Sequence, residues 1–125
     1  MFIENIKLSD AVEALTEAAE RANAEIENYN NGLEAVNRKQ GVRFAHWIEL
    51  PSKLGHVGYS AINGVWQLSY RTNDLVVCPL LSASRKIRLE STPILAGLVE
   101  EMTAEIISTV AEWKKFVKEH GIELA

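Results

Sequence analysis

Three histidines and one cysteine are the side chains of this 125-residue chain suited to proton transfer or nucleophilic attack near neutral pH. Their spacing limits what each can do. His46 and Glu49 stand three apart, which on a helix makes an acid/base or metal-ligand pair, but the surrounding residues alternate as a strand. Val42, Phe44, Ile48 and Leu50 take one side, Arg43, Ala45, Trp47 and Glu49 the other. A strand sends His46 and Glu49 to opposite faces, so they make a poor couple. His46 falls on the apolar side, where pairing of Glu49 with His56 sets it beside Tyr59 and predicts a core hydrogen bond to the phenol. Cys78 with His56 as its base is the other tempting pair. Strand spacing and rise put them about 11 to 12 Å apart, whereas a working pair needs about 3 Å. His120 belongs to the last turn of a helix, where a capping role suffices.

The side of the sheet away from the apolar residues is richer. Reading across the strands gives one row of Glu49, His56, Arg71 and Val76 and a second of Trp47, Gly58, Ser69 and Cys78. The second row sets a large aromatic beside a floor of small side chains, the shape of a shallow groove, and the first adds a carboxylate, an imidazole and a guanidinium at its end. Trp47, Glu49, His56, Ser69 and Arg71 are therefore the candidate ligand- or partner-binding residues. The competing reading is structural: Trp47 covers Gly58, and the charged side chains form an exposed cross-strand ladder.

These rows depend on the strands. Val42–Leu50, His56–Ile62, Val65–Arg71 and Val76–Leu81 read as four of them. Asn63-Gly64 between the second and third predicts a two-residue type I′ turn pairing Ile62 with Val65. By counting, Ala61 then faces Trp66, Tyr59 faces Leu68 and Val57 faces Tyr70 on an apolar face, while Ser60–Gln67, Gly58–Ser69 and His56–Arg71 form the polar face. The alternation of each strand agrees independently. Pro79 cannot donate to a ladder and belongs on an edge, which a 1-2-3-4 meander provides. A loop over Thr72–Leu75 closed by Arg71 and Val76 puts Pro79 opposite Leu68, where no N–H is required.

Two helices flank the strands. From Leu8 the apolar positions run Val12, Leu15, Ala19, Ala22, Ile26, Tyr29, Leu33 and Val36 in alternating steps of four and three. Ser9 is the expected N-cap, Gly41 the stop and Asn30-Asn31-Gly32 a weak point. The C-terminal helix is expected to open at Thr92 with Pro93 in its first turn and to close at Gly121, with Ile122 packing back on Val117. Its stripe is Leu95, Val99, Met102, Ile106, Thr109, Trp113 and Phe116. Trp66, Leu68, Tyr59 and Val77 should lie under Ile26, Leu95, Met102 and Ile106.

The fold class that follows is α+β, a single α-ββββ-α domain over residues 1–125 with a four-stranded antiparallel meander and both long helices on one face of the sheet. Neither a cofactor fingerprint nor a metal cluster is legible. With a net charge of −4, the chain lacks a general footprint for nucleic acid, and Arg85, Lys86 and Arg88 form a short basic run with no interleaved aromatic. No stretch approaches a membrane span, and a lone Cys78 suits a reducing cytoplasm. A helix over Ser9–Val36 spans about 42 Å, while seven-residue strands reach about 23 Å. One sheet cannot cover both helices, so a homodimer is expected. The functional expectation is a non-catalytic cytoplasmic binding protein acting as a homo-oligomer on a protein partner or small ligand. The alternative is a small enzyme with its ligand over the outer sheet face, His56 as acid/base and Glu49 orienting it.

Overall fold

The computed structural model describes residues 2–40 and 44–121. Helix α1 covers Phe2–Gln40, and a sheet follows with strands β1 (His46–Glu49), β2 (His56–Ile62), β3 (Val65–Arg71) and β4 (Val77–Pro79). A 3₁₀ turn over Leu80–Ser82 leads to a short helix α2 (Arg85–Ser91), and a second over Thr92–Ile94 leads to α3 (Leu95–Glu119). The strands lie in the order β1-β2-β3-β4, all antiparallel.

The apolar face is the core. Val57, Tyr59 and Leu68 from the sheet, Ile26 from α1, and Leu95, Leu98 and Met102 from α3 form one buried cluster, so both long helices cover the same face. Trp66 is half-buried at its margin, with its ring centroid 5.5 Å from that of Tyr59. Ile106 lies outside the buried set at 36% exposure. Both helices point toward the Asn63-Gly64 end: Asn37 and Arg38 reach Gly64 and Val65, while α3 passes from Ile48 and Glu49 at Pro93 to His46 at Glu105. The start of α1 and the end of α3 therefore overhang the sheet at opposite ends.

The β2–β3 hairpin has the expected register from Ile62↔Val65 to His56↔Arg71. Asn63 (φ 50°) and Gly64 (φ 81°) both take the left-handed conformation that a type I′ turn requires. The third connection differs by one residue. Leu75 donates to the Thr72 carbonyl at 2.9 Å and adopts φ 67°, Thr72 donates to the Val76 carbonyl at 2.9 Å, and Arg71 pairs with Val77 rather than Val76. This is a three-residue loop whose last member is left-handed, a position usually filled by Gly. The extra residue turns β4 over: Cys78 packs against the core, Val77 points outward at 39% exposure, and Pro79 pairs with Ser69 instead of Leu68. Pro79 does sit on the edge strand.

The helices differ from expectation at their ends. α1 begins at Phe2, so Ser9 is interior rather than an N-cap. It also runs unbroken through Asn30-Asn31-Gly32, where Asn30 and, further along the helix, Asn37 hold the sheet. Asn30 Oδ1 accepts the backbone N–H of Leu68 at 2.7 Å, and Asn37 donates to the Tyr59 hydroxyl at 3.1 Å. Tertiary contact overrides weak propensity here. Gly41, Val42, Arg43 and Ile122 lie outside the described residues. Thr92 and Pro93 sit in the 3₁₀ turn that joins α2 to α3 and do not cap α3. The helix α2 was signalled by Ser84, whose hydroxyl accepts the Ile87 N–H at 3.3 Å as an N-cap. At the far end Gly121 takes φ 63°, and His120 Nδ1 lies 2.9 Å from the Phe116 carbonyl, the capping role expected of it.

Candidate functional site

The outer face of the sheet is built by β1, β2 and β3 in the pairings Trp47↔Gly58↔Ser69 and Glu49↔His56↔Arg71. All five candidate residues are thus on one face, across three adjacent strands. Pro79 and Val77, rather than Cys78 and Val76, complete the two rows because of the turn at Leu75.

Within the rows the side chains are layered. A methyl group at Gly58 would collide with the His46 carbonyl oxygen and come within 2.6 Å of Trp47 Cε3, so the indole lies flat against the glycine. The Arg71 guanidinium stacks 4.5 Å from the centre of the same indole. Trp47 thereby fills the shallow groove with its own ring, sandwiched between Gly58 and Arg71. Ser69 is fully buried; its hydroxyl donates to the Gln67 carbonyl at 3.0 Å and accepts from Ser60 at 2.8 Å. It is floor, out of reach of a ligand in this arrangement. Glu49 is exposed, and His56 and Arg71 are partly so. Arg71 Nε is buried and makes no hydrogen bond among the described residues. Glu49 and His56 are cross-strand neighbours without an ion pair, so no carboxylate orients the imidazole for acid/base work.

Cys78 is removed from this face altogether. It packs against the core on the other side of the sheet, and desolvation there raises its thiol pKa above the ordinary value. A low-pKa nucleophile needs the opposite environment.

A second polar cluster lies at the β1–α3 junction. His46 is opposite Tyr59 as expected, but its partner is not the phenol, which accepts from Asn37. Nδ1 of His46 lies 2.9 Å from Glu105 Oε2, and Nε2 lies 3.6 Å from Glu101 Oε1. Glu101 and Glu105 are one turn apart on α3 and flank the imidazole. Nothing in the sequence sets the level of α3 against β1, so the spacing of the two glutamates was the only available signal. Among the described residues no group of His, Cys, Asp and Glu has the geometry to hold a metal ion.

The basic run separates as well. Arg88 is tied into the fold, with Nε donating to the Ala83 carbonyl at 3.1 Å and Nη1 to Asn23 at 2.5 Å, which leaves Arg85 and Lys86 exposed. No described helix is long and apolar enough to cross a membrane. No protein-family model, curated protein or solved structure matches this chain.

Proposed function

We propose that this chain is a non-catalytic cytoplasmic binding protein that works as a homo-oligomer and recognises a protein partner through the outer face of its sheet. The observation that carries this reading is the Gly58–Trp47–Arg71 stack. An indole held flat on the sheet fixes a guanidinium in place before any partner arrives, which reduces the ordering cost of binding. Its Nε–H is buried without an acceptor among the described residues, so a partner would meet the exposed part of the half-buried Arg71 side chain, and the neighbouring His56 adds further hydrogen-bonding capacity. Such a surface suits a carboxylate on a partner that meets it as a flat contact. A protein is favoured over a small ligand because Trp47 closes the groove in which a small molecule would be enclosed.

The test is comparative capture. Wild-type chain and Arg71→Glu, immobilised at equal density after circular dichroism has shown equal folding, are exposed to the same cell extract. The reading requires a protein retained by the wild type and lost from Arg71→Glu, with Arg85→Glu as a control that retains it. Identical retention by all three refutes recognition through this face.

A further inference from the structure

The overhanging half of α3 exposes an apolar stripe, although Val117 beside it is buried at 4%. Ile106, Val110, Trp113 and Phe116 recur in steps of four, three and three, at 36%, 44%, 52% and 51% exposure, and Ile107 flanks them at 64%. The stripe continues the line of Leu95, Leu98 and Met102, which the sheet buries. It therefore faces the space beyond the Asn63-Gly64 end of the sheet, toward which both helices point.

We infer that this half of α3 pairs antiparallel with the same half of α3 in a second copy of the chain, giving a twofold dimer joined end to end. This deepens the homo-oligomeric part of the function proposed above and rests on it. Three observations favour a second copy. The stripe has the spacing of a helix-packing seam over about 25 Å from Thr103 to Glu119, the length that a twofold mate would match.

Charge supplies the second. Along α3 the acids Glu100, Glu101 and Glu105 come early and Lys114, Lys115 and Lys118 late, with Glu112 and Glu119 as exceptions. An antiparallel mate centred near Val110 brings Lys115 level with Glu105 and Lys118 about one residue from Glu101, with Glu119 opposite Glu101 as the like-charged exception. A parallel mate would set like against like. The competing overhang, at the start of α1, also exposes Leu8, Val12 and Leu15. Between Leu8 and Glu20, however, it carries Asp10, Glu13, Glu17 and Glu20 and no base, so it opposes pairing with its own copy.

Area is the third. At roughly 100 Å² for each half-exposed large side chain, scaled from the ~150–250 Å² of an aromatic one, the five residues offer about 500 Å² per chain. The aliphatic stems of the lysines raise this toward the ~800 Å² per partner of a stable interface.

Sedimentation of the full chain at tens of micromolar tests the pairing. The wild type is expected at twice the 13.9 kDa monomer mass. Val110→Glu should raise the dimer dissociation constant by about tenfold or more, with an unchanged circular dichroism spectrum because Val110 is outside the core cluster. Val12→Glu should leave the dimer intact. Lys115→Glu combined with Lys118→Glu should also weaken it, more at low salt than at high. A monomeric wild type overturns this pairing and the homo-oligomeric reading together. An oligomer that survives both Val110→Glu and the double lysine variant overturns the α3 pairing alone and leaves that reading standing.

Discussion

The two hairpins on either side of β3 share a strand and differ in how their turns are specified. The β2–β3 turn uses Asn63 and Gly64, residue types that tolerate the left-handed backbone found there. Its register also agrees with the alternation of both strands. The β3–β4 turn asks the same conformation of Leu75, a side chain that resists it and is 73% exposed with little packing to compensate. One connection is held by its own residues. The other is held by what surrounds it: the Thr72 hydroxyl accepting the Val76 N–H at 3.1 Å, and Cys78 and Leu80 packing into the core. A hairpin can thus be fixed locally or from outside, and only the first kind announces its register.

Four substitutions separate the two cases. Leu68→Ala, in the β2–β3 hairpin at 1% exposure, should cost about 3 kcal/mol in urea unfolding. Gly64→Val should cost roughly 1 kcal/mol or more, since a β-branched residue resists positive φ; an unchanged midpoint would remove the type I′ turn from the account. Leu75→Gly should have the opposite sign and stabilise by up to about 1 kcal/mol, because the strain it relieves exceeds the added freedom of the unfolded chain. Val77→Ala should stay within about 0.5 kcal/mol. A loss for Val77→Ala comparable to that for Leu68→Ala would restore the register in which Val77, not Cys78, faces the core.

Cys78 gives the smallest and most specific readout. Burial raises its pKa in the folded chain, so between the ordinary thiol pKa and the raised one the unfolded chain has released a proton that the folded chain keeps. Stability contributed by this group is full below the ordinary value and falls as pH rises through that window. Alkylation at pH 8.5 should be slower in the folded chain than in urea. Equal rates would place the thiol on the exposed face.

Most of the frame was legible in the sequence, for reasons that also mark its limits. The helix stripes and the Asn63-Gly64 turn are local signals, and they fixed the α+β order, the meander and the β1–β2–β3 register. The slip at β4 was invisible because Leu at a left-handed position carries no signature. Helix α2 was missed although Ser84 marks its start, since seven residues show too little periodicity. At the outer face the sharing of one side by Trp47, Glu49, His56, Ser69 and Arg71 followed from register alone. Which of them touch did not: the stacking of Arg71 on Trp47 and the burial of Ser69 depend on side-chain conformations that spacing does not encode. The partnership of His46 with Glu105 needed the depth at which α3 crosses β1, a tertiary quantity.

The hydrogen bond from Leu68 to Asn30 has a bearing on how the molecule behaves among its own kind. β4 pairs only with Ser69, Tyr70 and Arg71, so the rest of β3 has an open flank. An open flank of this sort is a template on which another chain can lay a strand and begin a fibril. The Leu68 N–H on that flank is already taken by a side chain of α1. α1 thus acts as a guard rail as well as a core element, and Asn30→Ala should shorten the lag time for aggregation as well as lower the melting temperature.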